Sequence, residues 1–82
     1  ADRPIRRVLV VANAITDVDT TGAEVLEHLL DDLGDRGITL SFAGMKGPVK
    51  DRLRAYALYQ RIGDEDFFPN TISAVQAHES GR

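Results

Sequence analysis

Two aspartates, two threonines and a glycine (Asp17, Asp19, Thr20, Thr21 and Gly22) fall within six residues, between an apolar run and an amphipathic one. A helix start leaves backbone N–H groups unpaired and carries the positive end of the helix dipole. A phosphoryl group added to Thr20 or Thr21, or an anion bound beside them, is favoured at such a corner. The same residue types are also the usual N-caps, and capping accounts for them without any chemistry. On that reading Thr21 binds the N3 amide, Asp19 stabilises the dipole and Thr20 is merely polar. The two roles are compatible. Asp17 and Asp19 could also ligate a metal, but a calcium loop needs further oxygen ligands and a glutamate at fixed spacing, and these are missing. No metal is expected.

A second place is Gly44-Met45-Lys46-Gly47-Pro48, a glycine-bearing strand-to-helix loop. Lys46 and Gly47 are candidate anion or nucleotide contacts, and Lys50, Arg52 and Arg54 make the neighbourhood basic. The loop lacks the spacing of a phosphate-binding loop, and Pro48 removes one amide donor. A solvated helix face explains the charges equally. His28 reads as a helical surface residue, and His78, near the tail, has no partner in view. No serine or threonine has a histidine in a recognisable nucleophile arrangement. Neither catalysis nor a cofactor is expected.

The elements that must position these residues follow from periodicity. Val8-Leu9-Val10-Val11-Ala12 is a continuous β-prone apolar run, as in a strand buried on both faces of a parallel sheet. Asn13 to Thr20 is a loop with apolar inserts at Ile15 and Val18. A helix is expected from Thr21, with Thr21 and Glu24 at capping-box spacing, and Ala23, Leu26, Leu29, Leu30 and Leu33 on one face. Gly34 and Gly37 should stop it. Ile38 to Ala43 alternates, placing Ile38, Leu40 and Phe42 on the larger apolar face of a second strand. Pro48 suits the first position of a helix that runs to Gly63 through Val49, Leu53, Tyr56, Ala57 and Gln60, with Leu58 and Ile62 beside them. Phe67 and Phe68 read as a short edge strand closed by Pro69, with at least one ring in the core. Asn70 or Thr71 can cap a last helix that uses Ile72, Ala74 and Val75. The N-terminal seven residues, with three arginines, read as a linker, and Ser80 to Arg82 as a tail.

The alternation β-α-β-α-β-α predicts an α/β fold with a mainly parallel sheet. The sheet is narrow, and a strand as apolar as Val8 to Ala12 should have neighbours on both sides. Either strands that precede it are missing from this chain, or the open edge pairs with another copy.

Eighty-two residues allow one domain, here residues 1–82, with residues 1–7 linker-like. Without cysteine there is no disulfide or zinc–thiolate chemistry. A formal net charge of −3 argues against a nucleic-acid role, and the longest apolar run is too short to cross a bilayer.

The run Arg7 to Ala23, with Asp19-Thr20-Thr21-Gly22 in D-[ST]-[ST]-G form, resembles the strand and signature loop of a STAS domain, the module shared by sulfate transporters and anti-sigma factor antagonists. Arg36-Gly37-Ile38-Thr39-Leu40, Met45-Lys46-Gly47-Pro48-Val49 and Phe67-Phe68-Pro69 extend the likeness from about Arg6 to Ala77. Ala14 to Gly22 together with Phe68-Pro69 is more similar to the SulP anion-transporter branch. The resemblance implies a βαβα layered fold with helices on one side of a mainly parallel sheet, truncated here at its N-terminus. It implies a non-catalytic regulatory and protein-interaction domain on the cytoplasmic side of the inner membrane, as part of a larger membrane protein. Implied partners are the membrane part of the transporter and a cytoplasmic regulatory protein, with a nucleotide as a further candidate ligand. The antagonist branch implies the alternative, a phospho-switch whose modified hydroxyl corresponds to Thr20. The proposed functional surface is Asp17, Asp19, Thr20, Thr21 and Gly22.

Overall fold

The computed structural model describes residues 6–79, the side chains of residues 78 and 79 apart. Elements follow in the order β1 (Arg7–Val11), α1 (Thr20–Asp35), β2 (Thr39–Ala43), α2 (Gly47–Ala55), α3 (Leu58–Ile62), a single 3₁₀ turn (Asp64–Asp66), β3 (Phe67–Phe68) and α4 (Thr71–Glu79). The three strands are parallel, in the order β1-β2-β3. Val8 stands beside Leu40, Val10 beside Phe42, and Phe42 in turn beside Phe67. The expected alternation of strands and helices is therefore present. Of the linker assigned to the N-terminus, Arg7 instead opens β1, and the Arg6 carbonyl accepts from the Thr39 amide at 2.9 Å. The rest of that linker and the Ser80–Arg82 tail lie outside the described residues.

Period-2 side-chain alternation divides the sheet into two faces. Leu40 and Phe42, with Val10 and Phe67 packed against them, meet Ala23 and Leu33 of α1, Val49 and Leu53 of α2, and Leu58, Tyr59 and Ile62 of α3. This is the main core. Tyr59, Phe67 and Phe42 stack in sequence, with ring centroids 4.5 and 5.5 Å apart. The Arg54 guanidinium lies 4.2 Å from the centroid of the Tyr59 ring and the Lys50 ammonium 5.7 Å from that of Phe67, so two cationic heads sit over the aromatic pile. On the other face Leu9, Ser41 and Phe68 line a groove with Ala74 and Val75 of α4.

That second face holds a polar group that a hydrophobic pattern does not announce. Ser41 is fully buried in the central strand, and its hydroxyl donates to Asp66 Oδ1 at 2.9 Å while accepting from Arg7 Nη1 at 3.2 Å. Arg7 also pairs with Asp66 at 3.3 Å. The three side chains tie β1, β2 and the 3₁₀ turn together beneath the sheet. Asp66→Ala leaves the Ser41 hydroxyl without its acceptor and Arg7 without its partner, which should cost about 1–3 kcal/mol in a urea titration.

Several expectations are corrected. β1 has the open edge that the narrow sheet implied, but Val8 and Val11, expected to be buried, are exposed; among the described residues β2, every residue of which is buried except Thr39, is central. An apolar run reports that a strand belongs between layers, not which neighbours are present. Leu29 leaves the buried stripe of α1 for its exposed flank. Gly34 lies inside α1; the chain turns at Gly37, whose φ of 71° is the left-handed geometry that ends the helix. The helix expected to run from Pro48 to Gly63 is two helices, broken where Ala57 takes φ 62°. The break rotates the chain so that Leu58, Tyr59 and Ile62 enter the core while Gln60 stays outside. Among the described side chains of α4 only Ala74 is buried; Ile72 and Val75 are exposed. Asn70 caps that helix, accepting from the Ser73 amide at 2.7 Å.

Candidate functional site

The Asp17–Gly22 corner follows from the exit of β1. The Ala12 amide donates to the Ala43 carbonyl at 2.8 Å, and a turn at Asn13–Ala14 lets Ile15 donate back to the Ala12 carbonyl. Ile15 and Val18, the apolar inserts, then pack against the core and pin the loop from beneath. Asp17, Asp19, Thr20, Thr21 and Gly22 all remain exposed.

The N-cap of α1 is Asp19, not Thr21 as expected. Its extended backbone, at φ −92° and ψ −179°, aims the carboxylate at the helix, where it accepts from the Gly22 amide at 2.8 Å. Thr20 and Thr21 are thereby the first two helical residues. A Cβ at position 22 would stand 3.2 Å from Asp19 Oδ1, so glycine is what lets the carboxylate sit this close. Asp19→Ala should destabilise the domain by about 1 kcal/mol and hasten hydrogen exchange in the first turn of α1.

Two contacts join the corner to α2 and its end. Asp17 accepts from Arg52 through both carboxylate oxygens, at 2.8 Å from Nε and 3.3 Å from Nη2. Thr20 Oγ1 lies 3.3 Å from the Tyr56 hydroxyl. Both are solvent-exposed, so they orient the loop more than they stabilise the fold. The hydrogen bond from Arg52 holds the Asp17 carboxyl below its ordinary value, and the same bond raises Arg52. The sign follows for a depressed acid: the contribution of the pair is present above the ordinary aspartate value and is lost as pH falls through the lower folded value. An NMR carboxyl titration should find Asp17 depressed, and Arg52→Ala should return it toward the ordinary range.

Asp17 and Asp19 thus turn to different partners, a guanidinium and a helix amide, and do not converge on one point. Between the loop and the helices is a groove of about 400 Å³, mostly apolar, with Ile15, Val18, Leu26, Met45 and Leu53 in its walls and Asp17 and Asp19 at its rim. Lys46 is exposed at the N-cap of α2 and makes no side-chain cap there; Gly47 has open space around it. Lys46 and Gly47 are not part of the groove lining, although Met45 before them is. His28 is exposed on α1, and the side chain of His78 lies outside the described residues. Sequence reasoning did not find Arg52 or Tyr56 as partners of the corner. They lie 35 and 36 residues from the groups they meet, and no local pattern signals a pairing at that distance.

Comparison with known proteins places the chain. Residues 1–74 match the STAS domain family. Over 66 residues the chain is 35% identical to a probable sulfate transporter of Mycobacterium tuberculosis, covering 80% of this chain and 12% of that protein. Over 71 residues it is 32% identical to a sulfate transporter of Arabidopsis thaliana, covering 87% and 11%. The chain therefore spans only about an eighth or less of the curated relatives it matches. Its fold superposes on the STAS domain of a SulP transporter from Vibrio cholerae with a TM-score of 0.79, at 19% identity, over 94% of this chain and 62% of that one. The D-T-T-G corner, the parallel three-stranded sheet and these matches agree, and the chain belongs to the STAS domain family, homologous to the STAS domains of sulfate transporters.

Proposed function

We propose that this chain is a non-catalytic regulatory domain of a SulP-type anion transporter, and that it works by docking its Asp17–Gly22 corner against the membrane part of the transporter or a cytoplasmic regulatory protein. It would sit on the cytoplasmic side of the inner membrane. One observation carries the reading: Asp17, Asp19, Thr20, Thr21 and Gly22 are all exposed and yet tied down by the Asp19 cap, the contacts to Arg52 and Tyr56, and Val18 packed beneath them. A surface already ordered before its partner arrives loses less conformational entropy on binding. The carboxylates and hydroxyls supply polar contacts, and the groove behind them offers an apolar seat for a partner side chain. The test is removal of this module from a transporter that carries it. Anion uptake or surface level should fall; unchanged values for both contradict the proposal.

A second reading is favoured by the exposed Thr20 hydroxyl. Phosphate there would leave Tyr56 as the donor in its contact with Thr20 and add about two negative charges beside Asp19. Intact mass after incubation with a cognate kinase and ATP decides it: no addition at Thr20 removes the switch.

A further inference from the structure

We propose that the segment received by the Asp17–Gly22 corner is a cationic one with an apolar anchor, supplied by a cytoplasmic loop of the transporter's own membrane part. This rests on the docking reading above and names the chemistry of the partner.

The corner stands between two recesses. The larger is the mostly apolar groove of about 400 Å³ walled by Ile15, Val18, Leu26, Met45 and Leu53. The smaller is a cleft of about 90 Å³ between α1 and the joint of α2 with α3. Buried Ala23 and Leu58 and half-buried Tyr56 line that cleft, and exposed Glu24 and Glu27 stand at its rim. Asp19 borders the groove and the next residue, Thr20, borders the cleft, so a segment that crosses the corner meets both. No residue of β1 lines either recess. The cleft lies on the flank of α1 that faces α2 and α3, where Thr20 reaches Tyr56 and Arg61 reaches the Glu27 carbonyl.

Charge selects the occupant. Four carboxylates rim the two recesses: Asp17, Asp19, Glu24 and Glu27. The arginines of α2 and α3 are committed, Arg52 to Asp17, Arg54 to Asp51 and Arg61 to Asp31. Among the described residues neither Glu24 nor Glu27 has a cation as partner. The positive end of α1 is already answered, because the Asp19 carboxylate accepts from the Gly22 amide. The rim is therefore anionic in excess. It repels an acidic segment, and a wholly apolar one would strip water from carboxylates without pairing them. A lysine or arginine suits the cleft along its length. Its stem packs on Ala23, Leu58 and the Tyr56 ring, and its head meets Glu24 and Glu27. Exposed ion pairs add little affinity, so an apolar side chain of the same segment, seated in the groove, supplies the rest.

The same chemistry favours the membrane part over a soluble protein. Short cytoplasmic loops of membrane proteins carry an excess of lysine and arginine. A loop of the same polypeptide also arrives at high effective concentration, so a small contact is enough.

The test is charge exchange in a full-length transporter that carries this module, with anion uptake, surface level and protease resistance of the module followed together. Glu24→Lys with Glu27→Lys should lower uptake or surface level at least about threefold. Glu24→Gln with Glu27→Gln, which keeps side-chain size, should lower it less and guards against a folding defect. Reversing the lysines and arginines of the membrane part's cytoplasmic loops to glutamate, one loop at a time, should restore the lysine variant for one loop. Asp32→Lys with Asp35→Lys makes the same charge change at the far end of α1 and should leave uptake near the parent value. The inference alone is overturned if module deletion impairs uptake but the Glu24 and Glu27 variants do not. It is also overturned if no loop reversal restores them, which would point to a soluble partner, or if the Asp32 and Asp35 control is equally impaired, which would leave net charge as the cause. A module deletion without effect removes the docking reading itself, and this inference with it.

Discussion

Leu53→Ala should remove a large part of the stability of this domain. Leu53 is fully buried on α2, one turn beyond Val49, which is 1% exposed. It belongs to the main core and also forms part of the wall of the groove behind the Asp17–Gly22 corner. Truncating a buried leucine costs about 2–5 kcal/mol, the lost transfer energy plus the cavity. At ordinary stability per residue, a chain of 82 residues has about 4–12 kcal/mol in all. The urea midpoint should fall steeply at nearly constant slope. Leu53→Met, which conserves volume, should cost less than about 1.5 kcal/mol. Equal midpoints for Leu53→Ala and the parent would mean that the α2 packing described here is wrong. Because Val18 shares the groove wall, the alanine variant should also loosen the corner, seen as faster exchange from Val18 to Gly22.

Gly44→Ala is the second large effect, and it arises from backbone geometry. Gly44 takes φ 73°, a region that costs an L-residue about 1–2 kcal/mol. A Cβ there would also fall 2.8 Å from the Asn13 Cγ and closer still to its Oδ1, so the Asn13 side chain must move. The Gly44 amide donates to the Phe68 carbonyl at 2.9 Å, which anchors β3. The loss should therefore exceed the conformational term alone and reach about 2 kcal/mol or more. Gly34 is the control. It is helical, nothing lies within 4 Å of an added Cβ, and Gly34→Ala should stabilise by about 0.5–1 kcal/mol. If the two substitutions shift the thermal midpoint alike, the assigned geometry of Gly44 is wrong.

Much of the architecture was legible from periodicity. The apolar run around Val8, the alternation from Ile38 to Ala43 and the paired phenylalanines gave three strands, and their spacing gave helices between them. What was not legible has physical causes. Asp19, Thr20 and Thr21 are all good caps, so composition could not choose among them; the extended backbone at Asp19 did. Ala57 has no residue-type signature of a left-handed conformation, so the break between α2 and α3 was hidden. Helical periodicity named a face for Leu29, Ile72 and Val75 but not what covers it, and all three are exposed. At the site, the corner itself was visible as a cluster of polar residues before a helix. Its two fasteners were not, because Arg52 and Tyr56 reach it across some thirty-five residues of intervening chain.

The central claim is that this corner is where the domain docks. The most direct measurement is anion uptake, with surface level monitored in the same cells, for a transporter carrying Asp17→Ala and Thr20→Val in this module. Both changes remove exposed contacts and leave the Asp19 cap in place. Uptake or surface level should drop toward that of the module deletion while the domain stays resistant to proteolysis. Wild-type uptake and surface level in that variant, with the deletion clearly impaired, would contradict the claim and move the working surface elsewhere on the domain.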